Sequence, residues 1–261
     1  MCWEEALLRN YTIVDWFGYD LCPRERMNVI KSAGFTGVIL LWTNQFDSDY
    51  KDFPQYAMES GLYVENAHAP YIEANTLWED NLIGHEYVKK LITCIEDCHT
   101  YEIPTLVMHP TNGKTPLPVS NIGIERLKRV VDKAENLNIN IALENMESPQ
   151  YLEYVFNKVK SNRLGFCFDS GHHNLYSPDL DLLSLYGDKL MALHLHDNNG
   201  KEDMHSLPFS GNIRWDKLSK KLKEVDYKGS VALETRNTGF EHMKSADEFL
   251  SIAIKKAKAI L

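Results

Sequence analysis

The chain has 261 residues, 44% of them hydrophobic, enough to bury a large core as one domain or two small ones. Its net charge of −9 argues against a nucleic-acid partner, because phosphate backbones are met by clustered Lys and Arg and no long basic stripe is present. No apolar run approaches the roughly eighteen residues that span a bilayer, and acids stand in "MCWEEALLRN" where a secretory leader would be basic, so no membrane association and a cytoplasmic setting are expected.

The first strand is expected over "YTIVDW" (11–16), followed by a helical pattern in "PRERMNVIKSAG" (23–34). "TGVILLW" (36–42) and "LYVENAH" (62–68) are the next two strands, and "HEYVKKLITCIEDCHTYE" (85–102) is a long amphipathic helix. "PTLVMH" (104–109), the helical "IERLKRVVDKAENL" (124–137), "INIALEN" (139–145) and "LGFCFD" (164–169) continue the alternation. "LMALHLH" (190–196), a solvated helix face in "KKLKEVDYK" (220–228) and "GSVALET" (229–235) complete it. Apolar residues recur at three and four in the helices, and Gly34, Gly61, Gly165 and Gly229 punctuate element boundaries. Cys2, Cys22, Cys94, Cys98 and Cys167 fit neither a disulfide framework nor a thiolate zinc site. Cys94 and Cys98, one helical turn apart, read as packing in a reducing compartment.

Eight strands alternating with helices over this length imply a parallel sheet closed into a (β/α)8 barrel, one α/β domain spanning 1–261. An open doubly wound sheet would want a glycine-rich loop after the first strand, and "WFGYDL" has a single glycine. In a barrel of this kind the active site lies at the carboxyl ends of the strands. Strands three to eight end on His68, His109, Glu144, Asp169, His194 and Glu234. Two residues earlier, on the same strand face, stand Asn66, Val107, Ala142, Cys167, Ala192 and Ala232; between them lie Ala67, Met108, Leu143, Phe168, Leu193 and Leu233. Compact residues inside and bulky ones outside orient the six donors inward at the mouth.

Three further donors follow in loops: His172 after Asp169, then Asp203 and His205 after strand seven. Five His, two Asp and two Glu without a thiolate suit Zn²⁺ or Mn²⁺, with Co²⁺ also admissible, better than Cu(I). Nine donors exceed the demand of one ion, so one to three ions are expected. Four carboxylates leave −2 around one divalent ion, zero around two and +2 around three, so a single-ion centre suits a neutral sugar and a three-ion centre an anion. Around this ring, His172, His196, Arg236, Trp16 and Trp42 are candidate substrate contacts. Arg236 shares the inward face of Glu234 and could grip a phosphate or carboxylate, and an aromatic rim can stack on a sugar. Phe17 belongs to the same aromatic rim. His173 is expected to face away, Lys114 and Lys201 to be solvated, and His85, His99 and His242 to carry no chemistry.

The succession "HAPY", "MHP", "LEN", "FDSGH", "HLHDNNGKEDMH" and "LET" resembles the xylose isomerase-like TIM-barrel superfamily, which contains sugar isomerases and epimerases and the type IV apurinic endonucleases. The resemblance covers nearly the whole chain. It implies, from the isomerases and epimerases, one metal held at positions matching Glu144, Asp169, His194 and Glu234, with Glu144 and Glu234 also acting as acid and base. From the endonucleases it implies three zinc ions at positions matching those four with His68, His109, His172, Asp203 and His205. The chain departs from the endonuclease pattern at Glu73 and Ala74, at Ser170 and Gly171, at His196, Asn198 and Asn199, and at "SLPFSG" (206–211). "GNIRW" (211–215) looks more like the "G-N-I-D-W" run of uncharacterised sugar isomerase-like members.

Taken together, these features predict a metal-dependent isomerase or epimerase of a small-molecule sugar or sugar phosphate, working by proton transfer through a metal-stabilised enediolate. The alternative is a multi-zinc phosphoesterase of the type IV apurinic endonuclease kind; a barrel that binds a sugar acid without catalysis is a third reading. A homo-oligomer is compatible with the sequence.

Overall fold

In the computed structural model, which describes residues 9–44, 49–237 and 245–261, the eight expected apolar runs form eight parallel strands. Cys2 and His242 lie outside the described residues. β1 (Tyr11–Val14) leads to α1 (Pro23–Ser32) and β2 (Gly37–Leu41); α2 (Phe53–Glu59) leads to β3 (Tyr63–His68), and α3 (Leu82–Thr100) to β4 (Thr105–Met108). α4 (Asn121–Leu137) leads to β5 (Asn140–Glu144), and α5 (Gln150–Lys158) to β6 (Leu164–Asp169). α6 (Ser170–Tyr176) and α7 (Leu182–Tyr186) precede β7 (Leu190–His194), α8 (Trp215–Glu224) precedes β8 (Val231–Leu233), and α9 (Ala246–Lys258) follows.

Local chemistry sets the helix ends. Pro23 opens α1, where its missing N–H costs nothing. Asn81, Ser120 and Ser245 cap α3, α4 and α9 by accepting from backbone N–H groups. Asn138 ends α4 in the left-handed conformation, φ 60°. α8 stops at Glu224, earlier than its charge pattern suggests, because Asp226 turns left-handed at φ 55° and Tyr227 is buried; the solvated face therefore ends before 228.

The strands pair in chain order from β1 to β7, and β8 returns to β1. The seam between β7 and β8 closes just past the end of β7. Leu195 pairs with Leu233; its N–H donates to Ala232 O at 2.9 Å, and it accepts from the Glu234 N–H at 3.1 Å. β7 thus stops at His194, short of the expected His196, because Leu195 turns to the other neighbour.

Val107, Ala142, Cys167 and Ala192 pack together as a small separate cluster in the barrel interior. Ala67, Met108, Leu143, Phe168, Leu193 and Leu233 belong to the main core against the helices. Ladder pairing between β2 and β3 skips Glu65, whose carboxylate accepts from the Thr12 hydroxyl and is pushed by burial to a pKa of about 6. No helix among the described residues is long and apolar enough to cross a membrane.

One buried cation holds the loop that runs from His68 to α3. Arg126 of α4 is 4% exposed, and its guanidinium donates to the carbonyls of Thr76, Leu77, Glu79 and Asn81. Arg126→Met would orphan these carbonyls and is expected to cost about 2–4 kcal/mol in urea unfolding; a loss under about 0.5 kcal/mol would show that water takes over the same role.

Candidate active site

Barrel closure gathers all nine predicted donors at the carboxyl ends of the strands. Glu144 stands at the centre, fully buried on β5. Its Oε2 lies 3.3 Å from His68 Nε2, 3.5 Å from His109 Nε2 and 3.2 Å from His194 Nδ1, and its Oε1 lies 3.0 Å from His172 Nδ1. Glu234 Oε2 reaches the same His194 Nδ1 at 3.4 Å. Asp203 Oδ2 lies 3.6 Å from His172 Nε2 and 3.2 Å from His205 Nε2. Asp169 Oδ1 lies 3.7 Å from His172 Nδ1. The sequence placed His172 in a loop; it lies instead in the first turn of α6, where its backbone N–H donates to Asp169 Oδ1 at 2.6 Å. Asp169 is thus both a donor of the ring and the N-cap of that helix.

Neighbouring side chains fix the ring. Asn145 clamps the Asp169 backbone from both sides: its amide donates to Asp169 O at 2.9 Å and its carbonyl accepts from Asp169 N–H at 2.8 Å. His68 Nδ1 faces Ala69 O at 2.9 Å and His205 Nδ1 faces Glu234 O at 2.7 Å. A proton on each Nδ1 leaves Nε2 as the lone-pair atom turned toward the carboxylates, the arrangement that metal-binding histidines adopt.

The donor set fits a divalent metal. Two ligands about 2.1 Å from one zinc ion at a tetrahedral angle stand about 3.4 Å apart, and the separations above bracket that value. Both Glu144 oxygens, both His194 nitrogens and His172 Nδ1 are buried without a hydrogen-bond partner, which a protein interior rarely tolerates unless another group satisfies them. Within this web His68, His109 and Glu144 form one compact trio, His68, His194 and Glu234 a second, and Asp169, His172 and His196 a third. Burial alone would raise the Glu144 pKa, but His194 and His109 outweigh it and hold the carboxyl well below its usual range. Burial likewise opposes a charge on His172, yet Asp169, Asp203 and Glu144 hold its pKa well above the ordinary value.

The other candidates divide by position. His196 is fully buried, and its Nε2 lies 3.1 Å from Asp169 Oδ1 while its ring stacks 4.1 Å from that of His205. It faces the acids of the ring, and this contact, rather than a place on the cavity wall, is what the structure assigns it. His172, Arg236, Trp16 and Trp42 do line a cavity of about 720 Å³ above the donors. Trp42 is nevertheless buried among Tyr50 and Tyr101, and its indole N–H donates to Asp97 at 3.0 Å. Trp16 lies beneath the Arg26 guanidinium at 4.9 Å, and Phe17 stacks on Phe249 away from the ring. His173 faces the Leu180 carbonyl at 2.8 Å, away from the centre.

Three residues escaped the sequence reading. Tyr71 stacks on His109 at 4.6 Å, and Glu147 lines the cavity with one oxygen buried and unpartnered. Both lie inside quoted motifs, "HAPY" and just past "LEN", but neither type is diagnostic at one position. Gly171 is the third: a Cβ there would fall 1.9 Å from His196 Cε1. Gly171 and His196, two departures from the endonuclease pattern, are therefore one steric unit.

Comparison with known proteins agrees with this fold. Residues 27–253 match the family described as xylose isomerase-like TIM barrel. A solved D-tagatose 3-epimerase-like protein is 25% identical with a TM-score of 0.73, over 96% of this chain and 97% of that one. The D-allulose 3-epimerase of Methylomonas sp., in complex with D-allulose, shares the fold at a TM-score of 0.78 with 16% identity, over 97% and 98% of the two chains. The probable endonuclease 4 of Mycoplasma capricolum subsp. capricolum is 26% identical over 64% of this chain and 66% of its own length.

Metal should stabilise the chain. At a hundredfold excess of Zn²⁺ or Mn²⁺ over its Kd, the gain is expected to be about 2.7 kcal/mol in chemical unfolding. A chelator should reverse it, and binding should tighten with rising pH as imidazoles shed protons; an unfolding midpoint indifferent to metal would dismiss the centre. Gly171→Ala is expected to lose about 2–3 kcal/mol by overpacking. Adding His196→Ala should recover part of that loss in a double-mutant cycle, and strictly additive effects would dissolve the pair.

Proposed function

The chain belongs to the xylose isomerase-like TIM-barrel family, and from the site carried on that barrel we propose that it is a metal-dependent isomerase or epimerase of a small sugar or sugar phosphate. One observation carries the reading: Glu144 and Glu234, from the ends of different strands, both reach His194 Nδ1, at 3.2 and 3.4 Å, and both border the cavity, Glu144 from the buried floor and Glu234 from its more exposed wall. Their oxygens cannot be further apart than those two distances together, a span that holds one sugar carbon between them.

The chemistry needs two such groups. Removing the proton beside a carbonyl leaves an enediolate, and returning it from the opposite face inverts the carbon; returning it to the neighbouring carbon isomerises the sugar. A divalent ion held by Glu144, Asp169, His194 and Glu234 would supply Lewis-acid stabilisation of negative charge on the adjacent substrate oxygens. Glu144 has four imidazoles within 3.5 Å, while Glu234 has one within 3.4 Å among the described residues, with His68, His196 and His205 further off, and retains 8% exposure. A carboxylate bound to a cation is a weaker base, so Glu234 is the freer group to take the proton. For an inversion Glu144 would deliver a second proton from the other face, drawn from His172, whose Nδ1 lies 3.0 Å from its Oε1. Glu234 would release the proton it took to solvent in the cavity before the next turnover. His172 and Tyr71 line the same cavity and are placed to orient the sugar hydroxyls. The likeness to the D-tagatose 3-epimerase-like protein supports the epimerase reading.

A second reading rests on the outer donors. His68 and His109 gather on Glu144, and His172 and His205 gather on Asp203, which together with the inner four would accommodate three ions and phosphoester hydrolysis; the endonuclease 4 relative favours it.

Glu144→Gln and Glu234→Gln are each expected to lower turnover of a responsive ketose by about 10²–10⁴-fold, with the metal content of each variant measured alongside. Near-normal turnover in either would reject the two-base mechanism. About one equivalent of metal per chain favours the isomerase, whereas three equivalents with cleavage of an abasic oligonucleotide would establish the hydrolase.

A further inference from the structure

The cavity wall carries a cation for which the described residues supply no counter-ion. Arg236 lies two residues past Glu234 on a ribbon fixed from both sides. Its backbone N–H donates to His205 O at 3.0 Å, and the next residue, Asn237, donates to Phe17 O at 2.9 Å. Gly18 backs directly against this ribbon: a Cβ there would come within 2.5 Å of Asn237 O. The half-buried Arg236 side chain lines the cavity with Trp16, Tyr71 and His205. Its guanidinium makes no hydrogen bond or ion pair among the described residues. Lys90, also on the cavity wall, is committed to Glu73 at 2.8 Å.

We propose that Arg236 is an anion subsite that grips a phosphate or carboxylate at the end of the substrate remote from the carbon that exchanges its proton. This inference rests on the reading of the site as a sugar isomerase or epimerase. Guanidinium presents a planar fork that matches both anions with two parallel hydrogen bonds. Residues two apart on an extended ribbon start about 7 Å from one another, and the arginine side chain reaches further still. With the carbonyl end of a short sugar between Glu144 and Glu234, its far end therefore falls within reach of Arg236. A neutral sugar there would accept hydrogen bonds from the guanidinium but supply neither a counter-charge nor the paired oxygens that match its fork. The four carboxylates of the ring oppose an incoming anion until divalent ions offset them, so the subsite works in the metal-loaded protein. Tyr71 registers the same field: burial and Glu234 raise its pKa, and Arg236 pulls it back.

The test is calorimetric titration of metal-loaded protein with four probes: a ketose, the same ketose carrying a terminal phosphate, the matching sugar acid, and an abasic oligonucleotide. The wild-type protein should prefer one anionic probe over the neutral one, and which of the two identifies the natural anion. Arg236→Gln should reduce that preference about 10- to 100-fold, the value of a charge-assisted pair, and Arg236→Lys should fall between, keeping the charge without the fork. An equal preference in wild type and Arg236→Gln would overturn the subsite, because the metals alone would then account for anion binding. A wild type that binds the neutral ketose as tightly as either anion would overturn it as well. Calorimetry needs no turnover: an Arg236-dependent preference with none of the probes converted would sustain the subsite and sink the isomerase reading. A substitution that weakens only an abasic oligonucleotide would assign the cation to a nucleic-acid backbone and overturn the proposal.

Discussion

A carboxylate shut off from water must be offset by charge or it will not stay ionised, and Glu144 is the group on which this site turns. Taking such an ion out of water costs several kcal/mol even after relaxation. Four imidazoles stand within 3.5 Å of its oxygens, brought by β3, the end of β4, α6 and β7. No local segment could supply that surround. The electrostatics of the centre and the closure of the barrel are therefore one problem, because strands distant in sequence must end at the same height for the carboxylate to be tolerated.

The surroundings divide into a rigid half and an accessible half. Asp169, His194 and His196 are fully buried, and the backbone around them is tied by side chains. Asn145 holds Asp169. The Ser170 hydroxyl donates to His196 O at 2.7 Å, and Asp197 accepts from the Trp215 indole at 2.7 Å. Glu234, His172, Asp203, Tyr71 and Arg236 open onto the cavity. The buried half is the part held in place by its neighbours, and the open half is the part that lines the cavity.

Much of this was legible along the chain, for a physical reason. A strand buried on both faces must be apolar throughout, so a His, Asp or Glu at its last position stands out against the run that precedes it. All eight strands fell inside the expected stretches, and four of the six residues two before each donor, Val107, Ala142, Cys167 and Ala192, do form the interior cluster, whereas Ala232 joins the main core. The errors share an origin in tertiary packing. His172 looked like a loop residue because "FDSGHH" has no helical period, yet Asp169 caps a short helix there. His196, which shares a face with His194 in the sequence, stood equally as a substrate contact or as a donor behind the ligands; its Nε2 lies 3.1 Å from Asp169 Oδ1, a contact that strand spacing cannot show. The importance of Gly171 could not be seen without knowing that His196 occupies the space beside it, and nothing in the pattern announced Glu65 inside the sheet.

By itself the sequence determined which atoms are available: nine nitrogen and oxygen donors of borderline hardness, six of them at strand ends, on a repeating β–α frame that closes only one way. Periodicity and composition carry that information because they are local. Only the tertiary structure decided how the donors are shared: which carboxylate is surrounded by imidazoles and which is the more exposed, which histidine faces the acids and which the cavity, and that Arg236 lines the same cavity with no ion-pair partner among the described residues. Those outcomes depend on distances between segments that meet through barrel closure, and such distances are written in no single stretch of the chain.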